Sequence, residues 1–185
     1  MTPIPTLNVR LSVSPTCSVR PATTDDALAI VEMALRFLRE TPYGALLGDG
    51  NPLVIGAVLS TLLAQGIVLV AERAGTPVGF IAALAMQHPI SGRMYGDEVA
   101  WWVEPEARNG RAGVMLLTAL EEWARQEGLS LLKMVAPAES QVGTFLHRRG
   151  YDAVETAYQK RLEPDGRIHV DGAARRRAAR RRPAG

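Results

Sequence analysis

The first regular pattern in the chain is a hydrophobic repeat that predicts an amphipathic helix ending near Glu40. Residues 23–26, Thr-Thr-Asp-Asp, offer N-cap side chains and acidic groups for its first turn. Four apolar residues then recur three and four positions apart, which is the spacing of one face of an α-helix. They are Leu28, Val31, Leu35 and Leu38. We expect this face to be buried against the core.

A second helix is predicted after a loop at residues 41–50, which is rich in Gly. Asn51 is a suitable N-cap, Pro52 suits the first helical position, and Gly66 ends the helix. Residues 53–64 are apolar on nearly every side, unlike those of the first helix. This predicts burial on more than one side or contact with a partner, and exposed apolar residues here would indicate a homodimer.

Apolar runs bounded by turn residues predict the strands. We expect them at residues 19–22, 67–72, 78–86, 98–103 and 131–136, with one or two more within 153–162. The sequence Ala-Gly-Thr-Pro at 74–77 is typical of a hairpin turn, and residues 87–97 are expected to form a loop.

Two more helices lie between the later strands. The first ends at Gly128 and the second covers residues 140–149 before Gly150. The apolar face of the first is formed by Leu116, Leu117, Leu120, Trp123 and Ala124. The order of elements is therefore β-α-α-β-β-β-α-β-α-β, which predicts an α/β (α+β) fold.

Composition narrows the class of protein. With 185 residues, 47% of them hydrophobic, the chain can form one domain with a full core. One cysteine and three histidines argue against a disulfide framework, and no metal site is predicted. The sequence has neither an apolar run of about 20 residues nor a secretory signal pattern. We therefore expect a cytoplasmic protein without a membrane segment.

Charge is distributed unevenly along the chain. The net charge is +2, but residues 163–185 carry +4 and residues 1–162 carry −2. We therefore predict a flexible leader at 1–18, one domain at 19–162 and an Arg-rich tail at 163–185. Two Arg triplets without aromatic residues favour a disordered, solvated tail, while a weak nucleic-acid contact through these arginines is the alternative.

The stretch 103–117, VEPEARNGRAGVMLL, has the most specific chemistry. It leads from a strand through a turn into a helix, whose first N–H groups have no acceptor within the helix and attract anions. Small residues at Gly110 and Gly113 let a phosphate approach, and Arg108 and Arg111 add charge. The stretch predicts a phosphate or pyrophosphate site, with an ordinary strand-to-helix turn as the alternative.

The same stretch resembles the acetyl-CoA loop of the Gcn5-related N-acetyltransferases (GNAT). That loop reads Gln or Arg, two residues, Gly, one residue, then Gly or Ala. Arg108 and Gly113 match its ends, whereas Arg111 stands where glycine is usual. The Val-x-Pro at 103–105, the Leu-Leu at 116–117 and the FLHRRGY at 145–151 also match the family, so the resemblance covers about residues 19–162.

The resemblance implies the fold, the co-substrate and the residues that hold it. The fold would be the acyl-CoA N-acyltransferase fold, a mixed twisted sheet of six to seven strands with helices on both faces. Acetyl-CoA would be the co-substrate, with its pantetheine arm along the main chain of Trp102 and Val103. Core packing is the alternative role of Trp102. The pyrophosphate would be held by Arg108, Asn109, Gly110, Arg111, Ala112, Gly113 and Val114.

A general base is expected because amine acetylation needs an unprotonated nitrogen. Glu98 is the catalytic candidate, since it opens the fourth strand where family members with a glutamate base place it. Strand parity predicts that it faces the same way as Ala100 and Trp102. A solvated carboxylate is the alternative, and Asp97 and Glu104 are competing acids.

The general acid and the acceptor remain open. The family often uses a Tyr four residues before the terminal Gly-Tyr, and Leu146 occupies that place. Tyr95, Tyr151 or Tyr158 could act instead, or CoA leaves without a donor. The acceptor would be a primary amine of a small molecule or a peptide, attacked in a ternary complex. The alternative function is a non-catalytic protein that binds acyl-CoA, or nucleic acid through its tail.

Overall fold

The computed structural model describes residues 17–138, 140–160 and 162. Nearly all of the predicted leader and the whole Arg-rich tail lie outside these residues, so both remain predictions. Contacts between Cα atoms separate the chain into two compact units, Met1–Gly143 and Thr144–Gly185. Within the described residues, no helix is long and apolar enough to span a membrane.

A five-stranded sheet organises the first unit. Its strands follow the order β1 Cys17–Pro21, β2 Gly66–Arg73, β3 Thr76–Gln87, β4 Met94–Val103 and β5 Leu132–Lys133. The first four strands are antiparallel and β5 is parallel to β4, so the sheet is mixed, as predicted. The hairpin between β2 and β3 turns at Ala74 and Gly75, both with positive φ, as a tight two-residue turn requires.

Five α-helices are present among the described residues. They are α1 Ala27–Glu40, α2 Pro42–Leu47, α3 Pro52–Gln65, α4 Ala112–Gln126 and α5 Gln141–Arg148. The side chain of Asn51 accepts a hydrogen bond from the N–H of Leu53, which confirms the predicted cap of α3. The short helix α2 lies in the stretch that we predicted to be a loop. The glycines at 44, 48 and 50 favoured a loop, although Pro42 suits the first position of a helix.

The helices pack on both faces of the sheet, as expected. On one face, α1 and α3 contact Val68, Val70, Phe80, Ala82 and Trp102. On the other, α4 contacts Leu69, Ala71, Ile81 and Ala83. Neighbouring residues of β2 and β3 thus point to opposite faces. The predicted face of α4 is confirmed, because Leu116, Leu117 and Leu120 are fully buried.

The predicted buried face of α1 is correct only in part, because Val31 packs against the core whereas Leu28 does not. Leu28 is 73% exposed, and the residues that α1 buries are Ile30 and Met33. Ala34 and Phe37 pack beside them. Almost every position between residues 27 and 38 is apolar, so two overlapping three-and-four repeats fit this helix. The periodicity alone does not distinguish these two repeats. Packing against the sheet selects the one that contains Ile30 and Met33.

Of the two outcomes predicted for α3, burial on more than one side is not observed, and contact with a partner remains a prediction. Only Leu59 and Leu62 of this helix are buried, while Leu53 is 84% exposed and Val54 58%. The helix packs against α1 and the sheet along one side only. Its outer apolar residues remain at the surface in the part of the chain that the structure describes.

Several strand boundaries differ from the prediction. β4 begins at Met94, because residues 94–97 pair with β3, so the expected loop shrinks to residues 88–93. β5 has two residues instead of the expected six. Residues 153–160 and 162 form no strand, and Val154 and Tyr158 are exposed. The described sheet therefore has five strands, because alternation without a buried face does not by itself form a strand.

Candidate active site

The candidate site begins where β4 and β5 separate. The two strands pair at Gly96–Leu132 and Asp97–Lys133 only, whereas β4 continues to Val103. Beyond Asp97, one edge of β4 is therefore unpaired with any strand among the described residues. The family resemblance predicts that the pantetheine arm of acetyl-CoA lies along this edge.

Glu98 lies at the start of this opening. Its Oε2 accepts a hydrogen bond of 3.0 Å from the main-chain N–H of Val135, across the gap. Burial raises the pKa of Glu98 to about 7, the bond from Val135 opposes this rise, and the negative charge of Asp97 adds to it. A carboxyl group with a pKa near neutrality is suited to accept a proton at physiological pH.

A β-bulge at Val99 decides which way Glu98 faces. The register pairs Ala82 with Ala100 but Ala83 with Glu98, so Val99 is an extra residue in β4. Directly opposed residues share a face. Glu98 therefore faces with Ala83 toward the α4 layer, while Ala100 faces the α1/α3 layer. The prediction that Glu98 shares a face with Ala100 and Trp102 is wrong, because the bulge interrupts the alternation.

The two competing acids have different surroundings. The carboxylate of Glu104 accepts hydrogen bonds from Arg36, at 2.9 Å from Nε and 2.6 Å from Nη2. This ion pair ties the end of β4 to α1. Asp97 is half-buried and opposite Leu84, which packs in the α1/α3 layer. Of the three acids, Glu98 is the one that hydrogen-bonds across the opening.

The predicted phosphate loop follows a short 3-10 turn, Pro105–Ala107, and leads through a turn at residues 108–111 into the start of α4. No side chain caps this helix, and its first backbone bond runs from the N–H of Met115 to the carbonyl of Arg111 at 2.9 Å. The N–H groups of Ala112, Gly113 and Val114 precede that bond, and no acceptor is found for them among the described residues. The terminus therefore offers the backbone donors that an anion requires.

The side chain of Arg108 makes three contacts with the protein, and its predicted contact with the pyrophosphate remains a prediction. Its Nε donates to the carbonyl of Val103 at 2.9 Å, and its Nη2 forms an ion pair with Glu40 at 3.0 Å. The guanidinium also lies over the ring of Trp102, 4.4 Å from its centroid. These contacts attach the loop to α1 and β4, so the side chain of Arg108 positions the loop.

The side chain of Trp102 belongs to the core. It is 5% exposed and makes an edge-to-face contact with Phe37 of α1, at 6.2 Å between ring centroids. Core packing, the alternative role that the sequence left open, therefore describes this side chain. The N–H of Glu104 donates to Val78 of β3, so strand alternation turns the N–H of Val103 toward the open edge.

One arginine that the sequence did not indicate, Arg73, also lies beside the loop. A Cβ atom built on Gly110 would lie 3.2 Å from Nη2 of Arg73, at the end of β2. Arg111 is exposed at the N-cap of α4. Neither Arg73 nor Arg111 forms an ion pair with another described residue. No local signal identifies Arg73, because only the sheet brings the end of β2 to this loop.

The second unit holds Leu146, which occupies the place where the family often has a tyrosine near the leaving group. After α5, the N–H of Tyr151 donates to the carbonyl of Leu146 at 3.1 Å, and Gly150 has a positive φ. Tyr158 is exposed. Tyr95 belongs to the first unit and contacts His88 edge-on, at 6.3 Å between ring centroids. The general acid remains unassigned.

Comparisons with known proteins point to one family. Residues 35–151 match the sequence profile described as the acetyltransferase (GNAT) family. Among curated proteins, none matches the chain. One similar solved structure is a ribosomal-protein-alanine N-acetyltransferase from Brucella melitensis biovar Abortus 2308. It has 19% identity and a TM-score of 0.63, over 79% of this chain and 99% of that chain.

Two further solved structures have the same fold. A transcriptional regulator from Bacillus halodurans C-125 has 16% identity and a TM-score of 0.65, over 80% of this chain and 100% of the other. AAC(6')-Iy in complex with the bisubstrate analog CoA-S-monomethyl-acetylneamine has 16% identity and a TM-score of 0.61, over 80% of this chain and 99% of the other. At these identities the structures establish the fold alone.

Proposed function

Because the chain belongs to the GNAT acetyltransferase family, whose acyl donor is acetyl-CoA, we propose that it acetylates a primary amine by direct attack in a ternary complex. The observation that carries this proposal is the position of Glu98. The residue lies where β4 and β5 separate, and its pKa is raised to about 7. The reaction needs a general base next to the thioester, which would lie in the gap between the two strands.

The proposed reaction assigns one proton transfer to Glu98. Its carboxylate accepts a proton from the acceptor ammonium, directly or through water, and leaves the nitrogen lone pair free. The new C–N bond then forms as the C–S bond of the thioester breaks, and the nitrogen gives up a second proton to solvent as it becomes the amide. The departing sulfur is protonated by a tyrosine or by solvent. Positioning the two substrates supplies much of the remaining rate.

The start of α4 fits the diphosphate of acetyl-CoA. The N–H groups of Ala112, Gly113 and Val114 donate to its oxygens, and the helix dipole adds partial positive charge. Asn109 and Gly110 complete the turn. Val103 borders the pantetheine arm through its main chain, while Trp102 and Arg108 hold the strand and the loop in place.

Two cations beside the loop complement this backbone site. Arg111 and Arg73 provide formal charge without an ion-pair partner among the described residues. Arg111 replaces the usual glycine of the family loop, so a side chain supplies charge where other members offer bare backbone. This set supports binding of a polyanion at the α4 terminus.

A two-stage experiment tests the proposal. Calorimetry first measures acetyl-CoA binding to the full chain, and release of free thiol is then followed over a panel of primary amines. We expect turnover by the wild type and its loss in Glu98→Gln with acetyl-CoA affinity unchanged. Asp97→Asn is the matched control, because it removes the neighbouring carboxylate. Full activity of Glu98→Gln would refute the role of Glu98.

A non-catalytic function is the second candidate, because Leu146 occupies the place of the usual phenol. Acetyl-CoA binding without turnover on any amine would favour it. Nucleic-acid affinity that disappears when residues 173–185 are removed would favour it too.

A further inference from the structure

Four charged side chains connect helix α1 to the turn that leads from β4 into the predicted phosphate loop. Arg36 and Glu40 lie one turn apart on α1, so both project from the same side of the helix. Arg36 donates to the carboxylate of Glu104, at 2.9 Å from Nε and 2.6 Å from Nη2. Glu40 accepts a hydrogen bond of 3.0 Å from Nη2 of Arg108. Glu104 precedes the 3-10 turn Pro105–Ala107 and Arg108 follows it, so the two ion pairs enclose this turn.

The two ion pairs have opposite polarity. Along α1 the cation comes first and the anion second, whereas along residues 104–108 the anion comes first and the cation second. A shift of this segment by one helical turn would bring Arg36 next to Arg108, or Glu40 next to Glu104, and like charges repel each other. The four side chains therefore fix the register of the segment on the helix, which a single ion pair would not do.

Arg108 links this attachment to the groups proposed to hold acetyl-CoA. Its Nε donates to the carbonyl of Val103, the residue whose main chain borders the pantetheine arm. Its guanidinium lies over the ring of Trp102, 4.4 Å from the centroid. The N–H groups proposed to bind the diphosphate follow at residues 112–114. A change in the position of Arg108 would therefore displace the end of β4 relative to the start of α4.

We propose that Arg36 and Glu40 are positioning residues for acetyl-CoA, because they hold the phosphate loop through Glu104 and Arg108. This inference rests on the proposed function and adds two residues of α1 to its cofactor site. Neither side chain contacts the ligand. A loop that is already held in its binding geometry loses less conformational entropy when the diphosphate binds, so the ion pairs increase the affinity without a direct contact.

Burial differs between the two ion pairs. The side chain of Glu104 is 17% exposed, whereas the side chains of Glu40 and Arg108 are each 44% exposed. Solvent screens the more exposed pair more strongly, so that pair contributes less. We therefore expect the loss of Arg36 to weaken acetyl-CoA binding more than the loss of Glu40.

The sign of the effect at Glu40 separates positioning from simple electrostatics. Removing an anion near a polyanion site should by charge alone strengthen binding. Removing Glu40 also releases the guanidinium of Arg108, which would then be free to turn toward the diphosphate. Our inference predicts the opposite result, weaker binding in Glu40→Gln, because the loop loses its attachment to α1.

Calorimetry of acetyl-CoA with the full chain measures these effects. We expect the Kd to rise about threefold in Glu40→Gln and about fivefold in Arg36→Gln. Glu32→Gln and Arg39→Gln are the matched controls, because they remove the same charges from exposed positions of α1. Among the described residues, neither control residue forms a hydrogen bond or an ion pair with the loop. Both controls should stay within about twofold of the wild-type Kd.

A double-mutant cycle tests whether each residue of α1 acts through its partner in the loop. In an Arg108→Ala background, Glu40→Gln should not change the Kd further, because the partner of Glu40 is already absent. Arg36→Gln should likewise have no further effect in a Glu104→Gln background. Thermal melting checks that each variant is folded. Equal effects in the wild-type and variant backgrounds would overturn the inference.

The failures of the two proposals are distinguishable. Tighter binding in Glu40→Gln would show that Arg108 leaves Glu40 for the diphosphate, and an unchanged Kd in both α1 variants would show that the loop needs no support from α1. Either result overturns the inference and leaves the proposed function standing. Absence of turnover with normal acetyl-CoA binding would refute the proposed acetylation, while the changes in Kd would still decide the inference. Absence of acetyl-CoA binding to the wild type would refute both.

Discussion

Two carboxylates at opposite edges of the sheet show how surroundings divide structural from chemical roles. At the β1 edge, the carboxylate of Asp26 accepts hydrogen bonds of 2.8 Å from both Nη atoms of Arg20 and from the N–H of Thr23. At the β4 edge, Glu98 accepts one bond from the N–H of Val135 and has no ion pair among the described residues.

The opposite pKa shifts follow from these partners. The hydrogen bonds from Arg20 lower the pKa of Asp26 to about 2, whereas burial raises the pKa of Glu98 to about 7. Asp26 thus remains charged at every physiological pH and fixes the corner between β1 and α1. Glu98 changes its charge near neutrality, which a proton acceptor must do. Of these two acids, Glu98 is therefore the one that can exchange a proton at physiological pH.

The largest predicted effect is on the rate. Glu98→Gln keeps the side-chain shape and removes the base, so kcat/KM should fall by about 100-fold or more. Steady-state thiol release at pH 7.5 measures it. Asp26→Asn should retain more than about half of the wild-type rate at a temperature where it is folded. Equal losses of rate in the two variants would abolish the distinction between the acids.

The next largest effect is on stability. Here Asp26→Asn should have a larger effect than Glu98→Gln. Asp26→Asn leaves Glu72 as the only carboxylate partner of the Arg20 guanidinium and should cost about 2 kcal/mol of unfolding free energy. Asp25→Asn, an exposed neighbour in the same turn, is the control and should cost less than about 0.5 kcal/mol. Urea unfolding at pH 7 measures both. An unchanged unfolding free energy in Asp26→Asn would show that the ion pair between Arg20 and Asp26 does not stabilise the fold.

The pH dependence of stability should have opposite signs at the two acids. The pKa of Asp26 is lower in the folded state, so its contribution is present above the ordinary Asp pKa of 3.8 and is lost as the pH falls toward about 2. The pKa of Glu98 is higher in the folded state, so stability is lost as the pH rises from 4.5 through about 7. Relative to wild type, Glu98→Gln should therefore melt at a higher temperature at pH 8.5 and equally at pH 4.

The same pKa predicts a pH profile of activity. Because Glu98 must be ionised to accept a proton, kcat/KM should rise up to about tenfold per pH unit below about 7 and level off above it. The basic limb reports the acceptor amine and depends on the amine chosen. A profile that keeps the same acidic limb in Glu98→Gln would assign that limb to another group.

The smallest predicted effects separate the arginines of the loop. Arg111→Ala and Arg73→Ala should each raise the Kd of acetyl-CoA by roughly two- to fivefold, less so at high salt, because they act through charge. Arg108→Ala should also lower the unfolding free energy by about 1 kcal/mol, because it removes the stacking on Trp102. Calorimetry at two salt concentrations and urea unfolding distinguish these outcomes.

Local signals in the sequence were sufficient for much of the fold. The caps of α3, the apolar face of α4 and the hairpin turn at Ala74 and Gly75 depend on residues a few positions apart. The resemblance of residues 103–117 to a family loop supplied the candidate cofactor site. The prediction of Glu98 came from its place in that order of elements.

Features that depend on contacts between residues far apart in the chain could not be predicted from the sequence. The face of α1 that is buried is selected by the sheet, and the bulge at Val99 is visible only in the pairing with β3. Arg108 is attached to Glu40 and Trp102, and Arg73 reaches the loop from another strand. In each case the local pattern was compatible with several arrangements, and tertiary contacts chose one.

The inserted Val99 has a consequence for any attempt to align or redesign this strand. If β4 paired regularly with β3, each residue before Val99 would move one step along its partner. Asp97 would then turn to the side that Glu98 now occupies, and the two acids would exchange places. A sequence alignment that places the insertion one residue away from Val99 would therefore match Asp97, and not Glu98, with the catalytic carboxylate of other proteins.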